Sequence, residues 1–341
     1  MLNKKQIIEI REVLDKSQNP VFFFDNDVDG LCSFLLLSRF SGKGKGVPIK
    51  SFPEMDETYI RKINEFGTDA IFILDKPQVS KRFFDEVEKM NLPVIWIDHH
   101  LIDNLYIPKS INYYNFSEVP TTYLCYQVTE KEEDLWLAVC GCVADHYVPE
   151  FYKDFVKKYP ELAIKTKNAF EILYNAEIGK VARLMNSGLK DRVTNVMTMI
   201  RNLLGADGPY DVLEENSKNR IMHNRFNYID RKHQKFLAKA KEVGNSKDKL
   251  LFFQYGGDMS ISSDLSNELS YLFPNKIIVV VYTSGAKANI SARGKNVKDI
   301  ILDSIRDFDG ATGGGHEDAV GAMIKTVDVE KFRVNVEELV R

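Results

Sequence analysis

Acids and histidines gather at four places in this 341-residue chain: Asp25-Asn26-Asp27-Val28-Asp29-Gly30, Asp75, Asp98-His99-His100, and Asp145 within Cys140-Gly141-Cys142-Val143-Ala144-Asp145-His146. If Asp25, Asp27, Asp29, Asp75 and Asp145 share one crevice they repel, because like charges a few ångströms apart cannot all stay ionised. Divalent cations resolve that conflict. Carboxylates and a histidine without thiolates suit manganese or magnesium, with imidazole favouring manganese. So acidic a site can hold two metals sharing a bridging carboxylate, which would activate water and clamp a phosphate for in-line attack. Each fragment alone also has an ordinary reading. A D-x-D-x-D-G string is commonly a polar turn or half a calcium loop, and a His-His pair is commonly structural. The calcium loop fails here, since the twelfth position counted from Asp25 is Leu36 and not glutamate. Three acidic clusters in one pattern favour the metal site.

The elements that must position these groups follow from apolar periodicity. Val21–Phe24, Ile49–Phe52, Ala70–Leu74 and Val94–Ile97 are short continuous apolar runs, separated by helical spacing at Tyr59–Phe66 and Lys81–Met90. Continuous apolarity predicts strands buried on both faces, hence a parallel sheet covered by helices. Phe24 leads into Asp25, Leu74 into Asp75 and Ile97 into Asp98. Loops at the carboxyl ends of such strands converge on one crevice.

Towards the C-terminus, Leu250–Gln254, Ile277–Tyr282, Ala288–Ala292 and Ala319–Ile324 read as strands and Val297–Phe308 as a helix, giving a smaller mixed α/β domain. Gly310-Ala311-Thr312-Gly313-Gly314-Gly315 between them reads as a glycine-rich loop whose backbone N–H groups can approach a phosphate. Arg293, ending a strand that faces this loop, offers a planar fork for phosphate or a stacked base; the plainer reading is an exposed surface arginine.

Net charge is −3, from 46 Lys and Arg against 49 Asp and Glu, unlike a protein that coats duplex DNA by bulk positive charge. The charge is unevenly spread. Residues 1–150 hold 16 basic and 24 acidic side chains, residues 151–249 hold 20 and 12, and residues 250–341 hold 10 and 13. The basic middle reads as helical. Its last part, Lys218–Lys249, interleaves Phe226, Tyr228 and Phe236 with basic residues and reads either as a solvated connecting helix or as a phosphate-backbone contact. The turns at Gly205–Pro209 and Gly244–Ser246 mark boundaries, so the expected organisation is a catalytic domain over 1–204, a connector over 205–246 and a substrate domain over 247–341. Four cysteines give neither a disulfide framework nor C-x-x-C zinc spacing. With no apolar run of membrane-spanning length and no targeting segment, a cytoplasmic protein is expected, without a membrane partner.

These motifs resemble those of the DHH phosphoesterase superfamily. Asp25–Gly30, Asp75, Asp98-His99-His100 and Asp145 look like its four motifs in order, and Gly313-Gly314-Gly315-His316 is similar to the signature of the companion DHHA1 domain. The acidic first motif, with Asp25 where many members have histidine, is similar to the RecJ-type nuclease branch. After Asp75 the chain departs from the family's small residues, reading Lys76-Pro77-Gln78-Val79-Ser80. The resemblance implies a two-metal phosphoesterase, with Asp25, Asp27 and Asp75 on one manganese and Asp29, Asp75, His99 and Asp145 on the second. It places His100 beside the substrate phosphate as proton donor or phosphate contact. Asp98 would orient the histidines. Arg293, the backbone of Gly313, Gly314 and Gly315, and His316 would bind the end of a nucleic acid or a nucleotide.

Three functions follow as expectations. The first is a manganese-dependent exonuclease on single-stranded DNA or RNA. The second is a small-substrate phosphoesterase for short oligoribonucleotides, 3′-phosphoadenosine nucleotides or cyclic dinucleotides, favoured by a length that leaves little room for extra nucleic-acid modules. The third is a non-catalytic scaffold, disfavoured because every ligand position is filled. Beyond the nucleic acid or oligonucleotide, the candidate partners are a second copy of the chain and replication or repair proteins.

Overall fold

The computed structural model describes residues 1–50, 53–102 and 105–340. They form two compact units, Met1–Phe226 and Asn227–Arg341. In the first, strands β1 (Pro20–Asp25), β2 (Lys45–Ile49), β3 (Ala70–Leu74), β4 (Val94–Asp98) and β5 (Asn112–Asn115) lie in the order β2-β1-β3-β4-β5, every pairing parallel. Helices α1 (Lys4–Lys16), α2 (Val28–Ser41), α3 (Ile60–Phe66), α4 (Lys81–Met90), α5 (Thr121–Thr129) and α6 (Leu135–Ala144) accompany it. They are followed by α7 (Tyr152–Lys158), α8 (Ala169–Asn175), α9 (Glu177–Leu189), α10 (Val193–Leu204) and α11 (Pro209–Leu213).

Strands β1, β3 and β4 are buried along their whole length, as the continuous apolar runs require. Alternation within β1 serves two cores. Phe22 and Phe24 join the cluster built with α2, α5, α6 and α9, the Phe24 ring stacked 5.1 Å from Phe34. Phe23 joins the opposite cluster and meets Phe83 of α4 edge-on at 6.1 Å. Burying each such ring contributes about 1.5–3 kcal/mol.

The strand expected at Ile49–Phe52 lies earlier, at Lys45–Ile49, and Ser51 and Phe52 fall outside the described residues. As an edge of the sheet among the described residues, β2 tolerates Gly46 and Pro48, which disguise it as a turn. Strand β5, Asn-Tyr-Tyr-Asn, lies at the other edge and carries no apolar run to announce it.

The division between units falls within α12 (Arg220–Gly244). The second unit is a mixed sheet of β6 (Leu250–Gly256), β7 (Ile277–Ser284), β8 (Lys287–Arg293), β9 (Thr312–His316) and β10 (Ala319–Lys325), ordered β6-β7-β8-β10-β9. Only β6 and β7 pair in parallel among these strands. Ile229, Leu237 and Ala240 of α12, with Leu265 and Leu269 of α13 (Ser262–Leu272), pack on one face. Helices α14 (Val297–Ile305) and α15 (Val329–Val340) cover the other. The expected glycine loop requires correction. Only its beginning is a turn, and Thr312–His316 is a fully exposed edge strand in antiparallel register with β10. Glycines carry no side-chain alternation, so an edge strand made of them shows no period of two.

Candidate metal centre

The first acidic cluster is shaped by one glycine. Asp25 is the last residue of β1, and the chain turns at once into α2 with Asp27 as its N-cap, whose Oδ1 accepts from the Gly30 N–H at 2.9 Å. A Cβ on Gly30 would stand 2.4 Å from the Asp25 carbonyl oxygen, so only glycine lets α2 start this close to the strand. Asp29, buried in the first turn, accepts the Thr121 and Thr122 N–H groups at 2.9 and 2.7 Å. The N-terminus of α5 thus favours its negative charge.

Asp75 follows β3 with φ of 58°, left-handed backbone that is uncommon for a non-glycine residue. Its N–H donates to the Ile97 carbonyl at 2.9 Å, and its Oδ1 accepts from Thr121 Oγ1 at 3.1 Å. Asp98, buried at the end of β4, lies 2.9 Å from His100 Nδ1. Asn115 of β5 secures this corner, donating to the His100 carbonyl at 2.8 Å. Asp145 comes from the C-cap of α6 and not from a strand. His99 Nε2 stands between the acids, 3.3 Å from Asp75, 3.9 Å from Asp29 and 3.8 Å from Asp145.

Donor atoms come within 4.8 Å of one another in three sets: Asp25, Asp27 and Asp75; Asp29, His99 and Asp145; and Asp75, His99 and His100. Asp75 is common to two of them. The eight N-terminal residues singled out from sequence therefore converge, and His100 stands close enough to be counted with the donors. Thr121, Thr122 and Asn115, which hold these groups in place, were not singled out. The Pro120-Thr121-Thr122 helix start was the available signal for the threonines.

Crowding shows in the proton affinities. Burial, reinforced by Asp29, Asp27 and Asp25, pushes the Asp75 carboxyl well above the usual carboxylate range. Asp145 is raised as well, by desolvation among the surrounding groups and then by Asp29 and Asp27, although its side chain stays 41% accessible, against a smaller opposing effect of His100. Asp27, although exposed at the surface, is raised by desolvation among its neighbours and then by Asp29, with its Gly30 hydrogen bond opposing. Burial works to lower the His100 pKa, but the hydrogen bond and charge of Asp98, with Asp27 and Asp145, override it and raise the value. Excess negative charge in oxygen donors with one or two imidazoles fits a hard divalent cation such as manganese or magnesium.

Lys76 is wholly buried, its Nζ donating to the Lys50 and Pro53 carbonyls at 2.8 and 3.0 Å. Burial lowers its pKa. The departure after Asp75 thus places a lysine that binds backbone carbonyls beyond β2.

In the second unit, Arg293 ends β8, opposite Ala319 of β10, which in turn is opposite His316 of β9. Directly opposed residues share a face, so Arg293 and His316 flank one another across β10. Arg293 is not a loose surface arginine, since Nε donates to Asn267 Oδ1 at 2.6 Å and the guanidinium reaches Ser263 Oγ at 3.2 Å. The three glycines differ. A Cβ on Gly313 would press on Ile305 and Leu302 at 3.0 and 3.1 Å, and Gly315 has φ of 142°, but a Cβ on Gly314 would meet nothing within 4 Å. Gly321, opposite Gly314, is equally open. Along α12, Lys235 and Lys239 are exposed, whereas Lys232 is bound to Asp258 and Tyr228.

Residues 21–174 match the model of the DHH family, N-terminal domain, and residues 247–341 match that of the DHHA1 domain. No curated protein matches the chain. Among solved structures, RecJ from Thermus thermophilus in complex with Mn2+ is similar over 98% of this chain and 54% of its own, at 16% identity and a TM-score of 0.70. The chain spans about half the length of that protein. An exonuclease RecJ bound to manganese is similar over 98% of this chain and 93% of its own, at 16% identity and a TM-score of 0.67. A pGpG-specific phosphodiesterase from Vibrio cholerae is similar over 95% of this chain and 99% of its own, at 14% identity and a TM-score of 0.52. At these identities the likeness is one of fold.

Proposed function

Because this chain belongs to the DHH/DHHA1 phosphoesterase superfamily, we propose that it is a manganese-dependent, single-strand-specific exonuclease of the RecJ kind that hydrolyses phosphodiester bonds of DNA or RNA. The observation that carries this reading is the convergence of Asp29 at the start of α2, Asp75 after β3 and Asp145 at the end of α6 on His99, with Asp75 also in one donor set with Asp25 and Asp27. Two divalent cations bound there would polarise a phosphate and make a water acidic enough to attack phosphorus in line. Asp25, Asp27 and Asp75 would hold one ion, and Asp29, Asp75, His99 and Asp145 the other. His100, fixed by Asp98, would donate a proton to the leaving oxygen or bind the phosphate. Arg293, His316 and the backbone of Gly313, Gly314 and Gly315 would hold the substrate end. The basic residues of the 205–246 connector would contact the backbone of the strand.

A second reading is a phosphoesterase for short oligoribonucleotides, 3′-phosphoadenosine nucleotides or cyclic dinucleotides. It draws on the likeness to the pGpG-specific enzyme, which extends over 99% of that chain. Digestion of end-labelled DNA and RNA, from two to about thirty nucleotides, with manganese, separates the two. Preference for the longer strands supports the exonuclease, and cleavage of dinucleotides alone supports the second reading. No manganese-dependent cleavage of any of them, nor of a 3′-phosphoadenosine nucleotide or a cyclic dinucleotide, overturns both.

A further inference from the structure

One aromatic feature beside the metal centre is left unused by that scheme. Helix α6 ends at Asp145, and the next residue, His146, has φ of 58°. The His146 and Tyr147 N–H groups close the helix on the Val143 and Cys142 carbonyls at 3.1 and 2.8 Å. Glycine is the residue this left-handed position favours, and an L side chain there is strained. Residues held in such backbone cluster at binding and catalytic sites.

The His146 side chain is an exposed ring lying 4.2 Å from the Phe170 ring at an interplanar angle of 19°. Phe170 in turn lies 6.4 Å from Tyr174, at 15°. Three rings from the end of α6 and from α8 therefore form one nearly parallel stack. Phe170 is only partly buried and belongs to none of the hydrophobic clusters among the described residues, whereas Tyr174 packs against the core of the first unit, so the stack runs outward from the edge of that core to His146. Its exposed end adjoins Asp145, whose side chain is 41% accessible while those of Asp29 and Asp75 are 3% and 1%. Asp145 and Asp27 are the exposed acids of the cluster, so the centre is open to solvent beside His146.

We infer that His146, backed by Phe170 and Tyr174, is a stacking platform for the nucleobase attached to the phosphate at the metal centre. The inference rests on the phosphoesterase reading for the location of that phosphate. A flat ring laid on His146 would extend the stack. A base–aromatic contact of this kind is sequence-tolerant, because every base has a π-face.

The test compares binding of AMP and ribose 5-phosphate, which differ by the base, to the manganese-loaded full chain by calorimetry. The wild type should bind AMP about tenfold or more the tighter, in line with base stacking on proteins. His146→Gly, which relieves the left-handed strain, and Phe170→Leu should each bring the ratio towards one while leaving ribose 5-phosphate affinity unchanged. His146→Phe should restore it. A wild-type ratio near one, or a ratio that both variants leave intact, overturns the platform. A normal base preference in a protein that cleaves no phosphodiester would sink the functional reading and leave the platform standing.

Discussion

Asp75 combines a left-handed backbone with a buried carboxylate among four acidic neighbours, and the burial and crowding of that charge are unfavourable without a cation. Asp75→Asn should therefore abolish metal-dependent hydrolysis while leaving the chelator-treated protein as stable as the wild type or more so, read as Tm. A large loss of Tm would mean that Asp75 serves the fold first. The glycines of β9 separate in the same way. Gly314→Ala meets no atom, so its stability should stay within about 0.5 kcal/mol of wild type while substrate affinity falls. Gly315→Ala must force a Cβ to 2.3 Å from the Ala319 carbonyl oxygen at φ of 142°, and should cost about 1–3 kcal/mol. Unchanged affinity in Gly314→Ala would remove that strand from the substrate site.

At the level of elements, the parallel sheet delivers Asp25, Asp75 and Asp98 from the carboxyl ends of three adjacent strands, and the start of α5 holds Asp29 by two backbone donors. Helix α12 shows the other use of an element. Ile229, His233, Leu237 and Ala240 make its inward stripe, and Lys235 and Lys239 stand on the solvated side. If these two lysines bind phosphates, neutralising them should flatten the slope of log affinity for single strands against log salt by about 0.7 per phosphate released. An unchanged slope would make α12 a connecting helix and nothing more. Lys232 is the poorer choice for that experiment because Asp258 and Tyr228 already bind it.

Over the whole chain, formal charge says little until it is placed. The first unit concentrates its excess acid where carboxyls are held above their ordinary values. A carboxyl whose folded pKa exceeds its unfolded one binds more protons folded, so stability is lost as pH rises through that interval. The interval begins near the unfolded carboxylate value of about 4 and extends upwards. Chelator-treated protein should accordingly melt higher at about pH 5 than at about pH 8, and manganese should flatten or reverse the trend because the ion requires deprotonated ligands. A metal-free Tm independent of pH over this range would contradict the crowding of the acids. Among the described residues, no helix is long and apolar enough to cross a membrane.

The linear order of residues was enough to identify the eight N-terminal acids and histidines, because in this fold most of them follow continuous apolar runs whose length and composition predict strands. It was also enough for the parallel sheet of the first unit and the mixed sheet of the second. It was not enough for β5 or β9, edge strands of polar residues or glycines that carry no periodic signal. Nor did it reveal the supports of the site. Asp29 is held by Thr122 at a separation of 93 residues, and Asp98 lies beside Asn115 only once β4 and β5 pair. Local patterns register which side chains a segment buries. Hydrogen bonds between segments distant in the chain, like the stacking of His146 on Phe170, exist only after the packing has brought both partners to one place.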